Sequence, residues 1–269
     1  MYGSTANYDA HFFVSGQGGE LAARELSGVE SIDIGYNNNA RTTNPLGYKN
    51  GFTVIGGATS QTVSFSRRLI YNDPVLDFTG ASKVMKGSFN YNNNTSYGFE
   101  SGYLNNYSVN CAVGNIPQVN ANFTVYGEMA SGINATGTTN TNIFVPSQGS
   151  ITATCDNSTT NRVIGFDYSL RTNKKPYYTI GSEDPVSVKH IPPISYTASV
   201  QIEVDDTFLE SGYNFLGEKI DRTVTFTIKG RDGTTLQSLN IPNASLVGEQ
   251  LNSTAAGNAR LTLNYIGHQ

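Results

Sequence analysis

The chain has 269 residues, of which 38% are hydrophobic and only 14% are charged, and its formal net charge is −4. An average globular chain carries about 25% charged residues, and the difference here is made up by Asn, Thr, Ser, Gly and Tyr. Thr and Tyr favour strands while Asn and Gly favour turns, so the composition predicts an all-β protein rather than a disordered chain. The acidic balance argues against tight binding of nucleic acid through many Lys and Arg contacts to phosphate.

The sequence also argues against a membrane span and a secretory signal. No apolar run approaches the roughly 18 residues of a transmembrane helix, and the start, MYGSTANYDAHFF, lacks a basic region followed by an apolar core. Cys111 and Cys155 have no spacing typical of a metal or redox site, so we expect two free thiols.

The first part of the chain predicts an arm followed by a series of strands. Residues 1–27 are expected to form an N-terminal arm that is ordered against a neighbour, with at most a short helix in Gly19–Leu26. Arg67 and Arg68 break the alternation of the strand that precedes them. Alternating apolar and polar residues predict strands at Ser31–Tyr36, Phe52–Ile55, Gln61–Ser66, Val84–Tyr91, Tyr107–Val113 and Asn122–Tyr126.

A long loop, Asn37–Gly51, interrupts this series and ends in an Asn-Gly turn signal. Loops of this length in compact domains are usually functional or contact a partner. We therefore predict that this loop contacts a neighbouring subunit. The candidate residues in it are Asn44, Pro45, Tyr48 and Lys49.

Residues 130–161 have a different composition, with almost no charge and few large apolar residues other than Ile143, Phe144 and Val145. A segment of this composition is not expected to fold on its own, but it can become ordered by folding onto a neighbour. It is predicted to be a linker between two units or an arm to another subunit, with those three residues as inter-subunit contacts.

The second part of the chain predicts the same kind of series. Strands are predicted at Val163–Leu170, Ile194–Val204, Arg222–Lys229 and Leu261–Tyr265. The loop Thr172–Pro185 follows the first of these strands just as Asn37–Gly51 follows its counterpart. Lys174, Lys175 and Tyr177 are the candidate inter-subunit residues in this loop.

The two series align with each other. SIDIGY at residue 31 matches VIGFDY at residue 163, and four further segments follow in the same order, with an offset that rises from about 132 to about 138 residues. This ordered match predicts an internal duplication. The expected architecture is two related antiparallel β-sandwich or barrel units with long loops and little helix, at residues 28–129 and 162–269.

No catalytic, cofactor-binding or metal site is predicted. His11, His190 and His268 have no second ligand at metal spacing, and two of the three lie in segments expected to be mobile. The pair Asp205-Asp206 has no second acidic cluster to complete a calcium site. These absences argue against an enzyme.

Three stretches carry a family resemblance. They are SFSRRLIYNDPVLDF (Ser64–Phe78), SGYLNNYSVNCAVGNIPQVNANFTVYGEM (Ser101–Met129) and PYYTIGSEDPVSVKHIPPISYTASVQIEV (Pro176–Val204). The chain resembles the tail-tube and related virion structural proteins of tailed bacteriophages, and the likeness is one of pattern over most of its length.

The resemblance implies β-sandwiches that pair edge to edge around a ring, and rings that stack into a hollow tube through which DNA passes without specific binding. An arm or long loop of one ring would reach the next, and other tail proteins would be partners. The protein would assemble in the host cytoplasm and reside in the virion. Single-unit family members typically form hexamers, so a duplicated chain would close the same ring as a trimer; trimer and hexamer both stay open.

Two other roles are compatible with the same sequence. A tail terminator, distal tail or neck protein would share the fold but form a single ring that does not polymerise. A carbohydrate-binding β-sandwich would use the abundant Tyr and Phe to stack on sugars, although the chain has no Trp.

Overall fold

The protein folds almost entirely into antiparallel strands, which confirms the predicted all-β class with little helix. A computed structural model describes residues 11–16, 22–37, 40–55, 60–80, 83–91, 95–135, 137, 144–146, 150–155, 158–182, 184–205, 208, 217, 222–254 and 257–269. Within these residues a 3₁₀ helix spans Pro74–Thr79, and Asp73 caps its start by accepting a hydrogen bond from the Val75 backbone N–H at 3.0 Å.

The strands fall into two sets that meet at residue 151. The first set is β1 (His11–Gly16), β2 (Arg24–Glu25), β3 (Val29–Asn37), β4 (Ala40–Thr43), β5 (Phe52–Ile55), β6 (Ser60–Arg68), β7 (Met85–Tyr91), β8 (Thr95–Ala112), β9 (Gln118–Val125) and β10 (Met129–Ser131). The second set is β11 (Ile151–Cys155), β12 (Ser158–Thr160), β13 (Val163–Arg171), β14 (Lys174–Tyr177), β15 (Ser187–His190), β16 (Ser195–Glu203), β17 (Arg222–Lys229), β18 (Thr235–Thr254) and β19 (Gly257–His268).

One continuous sheet of eight strands runs through both sets. Its order is β3, β6, β9, the second half of β8, β13, β16, β19 and the second half of β18, and every neighbouring pair is antiparallel. The two sets join where Asn106–Ala112 of β8 pairs with Gly165–Arg171 of β13. We call this eight-stranded layer the main sheet.

Two smaller sheets cover one face of the main sheet. The first half of β8 pairs with β7 and β10, and β7 continues to β1 and β2. The first half of β18 pairs with β17, which continues to β11 and β12. The long strands β8 and β18 therefore each belong to the main sheet and to a covering sheet.

The hydrophobic core lies between these layers. The rings of Phe12 in β1 and Phe65 in β6 are 5.4 Å apart, and Phe166 of β13 stacks on Phe226 of β17 at 5.1 Å. Alternation directs every second side chain of a strand inward, as in β9, where Val119, Ala121, Phe123 and Val125 are all buried. Each half of the chain is thus a two-layered β-sandwich.

The two halves repeat one topology. The hairpin β4–β5 follows β3 along the chain, and the hairpin β14–β15 follows β13 in the same way. Each hairpin contains four paired positions. Irregular pairings recur at matching places as well. The bulge after Leu104 on the β8–β9 ladder has a counterpart after Leu246 on the β18–β19 ladder.

Matching the bulges gives the equivalent positions of the two halves. Val163 opens the bulge of β13 as Val29 opens that of β3, so residue 163 matches residue 29, 134 positions earlier. Leu246 matches Leu104, 142 positions earlier. For β6 with β16 and for β7 with β17, the offset predicted from the sequence equals the offset found in the structure. For the other three pairs of equivalent strands, the predicted offset is two to five residues smaller than the structural one. Alternation has a period of only two residues, so it fits at several offsets. That the repeat arose by duplication stays an interpretation.

The segments predicted as arms contribute to the fold where the structure describes them. Phe12, Phe13 and Val14 of β1 are buried in the first covering sheet, although residues 1–27 were expected to need a neighbour for order. Residues 22–26 form no helix and include β2 instead. Ala153 and Cys155 of β11 are fully buried in the second covering sheet, so this part of residues 130–161 is neither a linker nor a free arm.

Candidate self-assembly surfaces

The face of the main sheet that points away from the core carries small, neutral, polar side chains. One row across it consists of Ser66, Asn120, Ser108, Ser169 and Thr197, which are paired in that order on five neighbouring strands. Their neighbours along each strand are buried, so alternation fixes these side chains on the opposite face. We call this surface the polar face.

The polar face has almost no net charge. The charged members on its strands are Glu30, Asp33, Arg68, Asp167, Arg171, Glu203 and Arg260, four acidic and three basic, and Glu30 pairs with Arg68 at 2.9 Å. Some of its neutral members bond to one another: Ser31 Oγ lies 2.7 Å from Ser66 Oγ, and Ser169 Oγ donates to Asn106 Oδ1 at 3.4 Å. Such a face has no cluster of cations with which to hold phosphate.

Among the described strands, both edges of the main sheet are unpaired. Among the residues that the structure describes, no strand pairs with the outer edge of β3 or with the outer edge of the second half of β18. Tyr36 on β3 is 57% exposed, and Leu251 on β18 is 54% exposed. An unpaired edge with exposed apolar side chains is a template for pairing with another chain.

The two hairpins extend from the same end of the main sheet. β3 and β13 are four strands apart in an antiparallel sheet and therefore run in the same direction, and each leads directly into its hairpin. The turn of the first hairpin contains the predicted residues Asn44, Pro45, Tyr48 and Lys49, all exposed. Leu46 in this turn and Ile180 in the turn of the second hairpin are fully exposed, at 103% and 108%. The hairpins thus present apolar tips.

Lys174, one of the predicted contact residues, is held within its own chain. Its Nζ donates to the Gly80 carbonyl at 3.0 Å and lies 5.5 Å from the centre of the Tyr103 ring. Burial lowers the pKa of this ammonium group to about 8. Lys174 therefore fixes the base of the second hairpin against the first half of the chain. Lys175 and Tyr177 are exposed, with Lys175 Nζ 5.9 Å from the Tyr177 ring centre.

Of the remaining predicted contacts, Phe144 and Val145 lie near the opposite end of the sheet. Ile143 is outside the described residues. Phe144 donates its backbone N–H to the Ile70 carbonyl at 2.8 Å and packs its ring 5.9 Å from that of Tyr71, so its contacts are within the chain. Val145 is partly exposed and its side chain lines a cavity.

This cavity has a volume of about 310 Å³ and lies where the two halves of the chain meet. Val113, Val145, Ile151 and Val163 contribute apolar side chains to its wall. The end of β8 and the beginning of β13 form it, which places it at the end of the main sheet opposite the hairpins. Neither the cavity nor the identity of the open edges could be predicted from the sequence, because each depends on strand pairing across the whole chain.

The described residues contain no group of three or more His, Cys, Asp or Glu side chains that could hold a metal ion. No described helix has the length and apolar character needed to cross a membrane. A comparison with protein-family models gives no match, and a comparison with curated proteins gives none either.

Proposed function

We propose that this protein is the structural subunit of a bacteriophage tail tube. Copies would close into rings with the polar face inside, and the rings would stack into a hollow conduit for DNA ejection. The proposed role is non-enzymatic and needs no cofactor. It places the protein in the virion after assembly in the host cytoplasm, with other tail proteins as partners at the ends of the tube.

The polar face is the observation that carries this proposal. A conduit for DNA needs an inner wall that does not bind phosphate, because every Lys or Arg contact releases counterions and adds to affinity. The polar face extends over eight strands with its few charges nearly balanced in sign, and the hydrophobic core lies behind it. The open edges on either side give such a wall a means of closing into a ring.

The hairpins favour a stacked tube over a single ring. Their apolar tips point away from one end of the main sheet, and the apolar cavity lies at the other end. Stacked copies would bring the tips of one ring to the cavities of the next, a head-to-tail contact that repeats without limit. A terminator or neck ring does not polymerise, so complementary surfaces at its two ends would not be expected.

Nuclease protection tests which face lines the lumen. The variant Asn120→Lys/Ser169→Lys adds cations to the polar face, and the control Ser238→Lys/Asn240→Lys adds them to the outer surface of the second covering sheet. Each protein is concentrated in the presence of short duplex DNA, treated with nuclease and sedimented. We expect wild-type tubes to retain no DNA, polar-face tubes to retain protected DNA, and outer-surface tubes to lose theirs to the nuclease.

Two outcomes would contradict the proposal. If DNA bound by the polar-face variant is digested as fast as DNA bound by the control, the polar face does not line a lumen. If the wild-type protein stays monomeric at every concentration, the chain is not a tube subunit. Glycan binding by such a monomer would then support the carbohydrate-binding alternative.

A further inference from the structure

We propose that neighbouring copies join through antiparallel pairing of β3 in one copy with the second half of β18 in the next, in one defined register. The proposal rests on the proposed function only in that copies assemble side by side. The register comes from the chain itself, because the junction between its two halves is a pairing of the same kind.

The internal junction provides the template. Here β8 pairs with β13 so that Val109 lies opposite Tyr168 and Asn110 lies opposite Asp167. Val109 and Tyr168 are buried in the core, whereas Asn110 and Asp167 lie on the polar face. The junction therefore continues both the core and the polar face from one half to the other.

The matched bulges transfer this template to the open edges. The second half of β18 is equivalent to that of β8, and β3 is equivalent to β13. The transferred register places Leu251 of one copy opposite Ile34 of the next, where Val109 meets Tyr168 inside the chain. It also places Asn252 opposite Asp33.

The side chains at the two edges fit this register. Asn252 and Asp33 repeat the residue types of Asn110 and Asp167, so the polar face would continue across the junction with the same pair. Leu251 is 54% exposed at a position whose equivalent, Val109, is fully buried. Pairing with a neighbour would remove this apolar exposure.

The composition of the edges supports a partner as well. Proteins usually protect free edges with charged side chains, especially Lys, with Pro, with bulges or with short strands. β3 is nine residues long, the pairing half of β18 is of similar length, and neither contains Lys or Pro. The bulges at Val29 and Leu246 do not block pairing, because their equivalents occur in β13 and β8, which pair with each other. Because the two edges differ, their pairing is head-to-tail, which excludes a two-fold dimer and gives a ring when the rotation between copies closes.

Disulfide trapping tests the register. In a Cys111→Ser background, Asp33→Cys and Asn252→Cys are introduced together into the full chain. Within one copy these positions lie at opposite edges of eight strands, about 34 Å apart at the usual strand spacing, so a bridge has to form between copies. In the proposed register the paired Cα atoms would be about 4.5–5.5 Å apart, within the range that a disulfide spans.

The control shifts one partner by two residues. Asp33→Cys with Gln250→Cys would place the Cα atoms about 7–8 Å apart, too far for an unstrained disulfide. We expect the matched pair to give a ladder of covalent oligomers on non-reducing gels that ends at the ring size, and the shifted pair to give at least tenfold less. Asp33→Cys alone is expected to give no dimer.

The outcomes separate this proposal from the proposed function. Assembly of the reduced protein is measured first by sedimentation velocity. If the protein assembles but the matched pair is not trapped, or the shifted pair is trapped preferentially, the proposed register is overturned. The proposed tube function is not affected by that result. Absence of assembly overturns both.

A second variant tests the apolar contact without a disulfide. Leu251→Lys changes a residue that is already exposed in the single chain, so the fold is expected to survive, while the assembled fraction falls at least tenfold. Ile266→Lys is the matched control, because it makes the same kind of change on the polar face of β19, which is not an edge strand. Equal assembly by the two variants would overturn the proposal.

Discussion

At the scale of single residues, Arg67 is the side chain that departs furthest from expectation. It continues the buried series of Val63 and Phe65 on β6, although the two arginines were expected to end the alternation. Asp73, which lies beyond the strand, supplies the partner: the Arg67 Nη1 to Asp73 Oδ1 distance is 3.5 Å, and both side chains are fully buried. Sequence patterns could not reveal this pair because it depends on the turn between its members.

Removal of the carboxylate tests this cluster. Asp73→Asn leaves Arg67 buried without a counter-ion, so we expect it to lower the free energy of unfolding by about 3–5 kcal/mol. Tyr107→Phe removes one hydrogen bond, from the Tyr107 hydroxyl to Asp73 Oδ2 at 2.7 Å, and is expected to cost about 1–2 kcal/mol. Chemical denaturation measures both values. A smaller loss for Asp73→Asn than for Tyr107→Phe would contradict the account.

Lys174 makes stability depend on pH. Burial lowers its pKa to about 8 in the folded chain, against about 10.4 in the unfolded chain. Between these values the unfolded state binds more protons, so the contribution of Lys174 makes stability rise with pH, whereas below pH 8 the full cost of burying the charge is present.

Lys174→Met should remove this contribution. We expect the wild type to gain about 1–2 kcal/mol relative to the variant between pH 7.5 and pH 9.5, a value reduced for the partial exposure of the side chain. Guanidinium denaturation of both proteins at the two pH values gives the comparison. An identical pH dependence in the two proteins would show that Lys174 is not buried as described.

At the scale of elements, the sequence predicts strands better than it predicts their partners. Phe52–Ile55 and Arg222–Lys229 coincide with β5 and β17 because alternation and turn residues are local signals. The long loops Asn37–Gly51 and Thr172–Pro185 were expected to lack structure, yet each contains one strand, β4 or β14, that forms a hairpin with the strand following the loop. β4 and β14 are only four residues long and gain their order from pairing, which periodicity cannot detect. Only the second half of β8 was predicted as a strand, at Tyr107–Val113, because the first half pairs in a different sheet.

The hairpin tips give a prediction at the same scale. Ile180→Ser removes a fully exposed apolar side chain, so we expect the thermal unfolding midpoint to stay within about 2 °C. Rings should still close, but stacking into long tubes should be lost. Thr179→Ser is the control in the same turn. Electron microscopy compares the lengths of the assemblies, and tubes of wild-type length from Ile180→Ser would show that this tip makes no stacking contact.

At the scale of the whole molecule, two sandwiches share one sheet, and this sharing creates the candidate surfaces. The main sheet gives the protein a broad polar face, two unlike edges, and ends that differ in chemistry. The exposure of the loop residues Asn44, Tyr48 and Tyr177 was predictable from loop length alone. The pairing proposed for Leu251 and Ile34 was not predictable, because it is argued from an internal junction that only the strand pairing reveals.

The most direct test of this account is cryo-electron microscopy of the purified protein, concentrated at neutral pH. We predict hollow tubes of uniform width whose inner wall carries the polar face, with β3 of each copy beside β18 of the next, and the symmetry of each ring would distinguish three copies from six. Particles that stay single at every concentration, or assemblies with the polar face turned outward, would contradict the central claim.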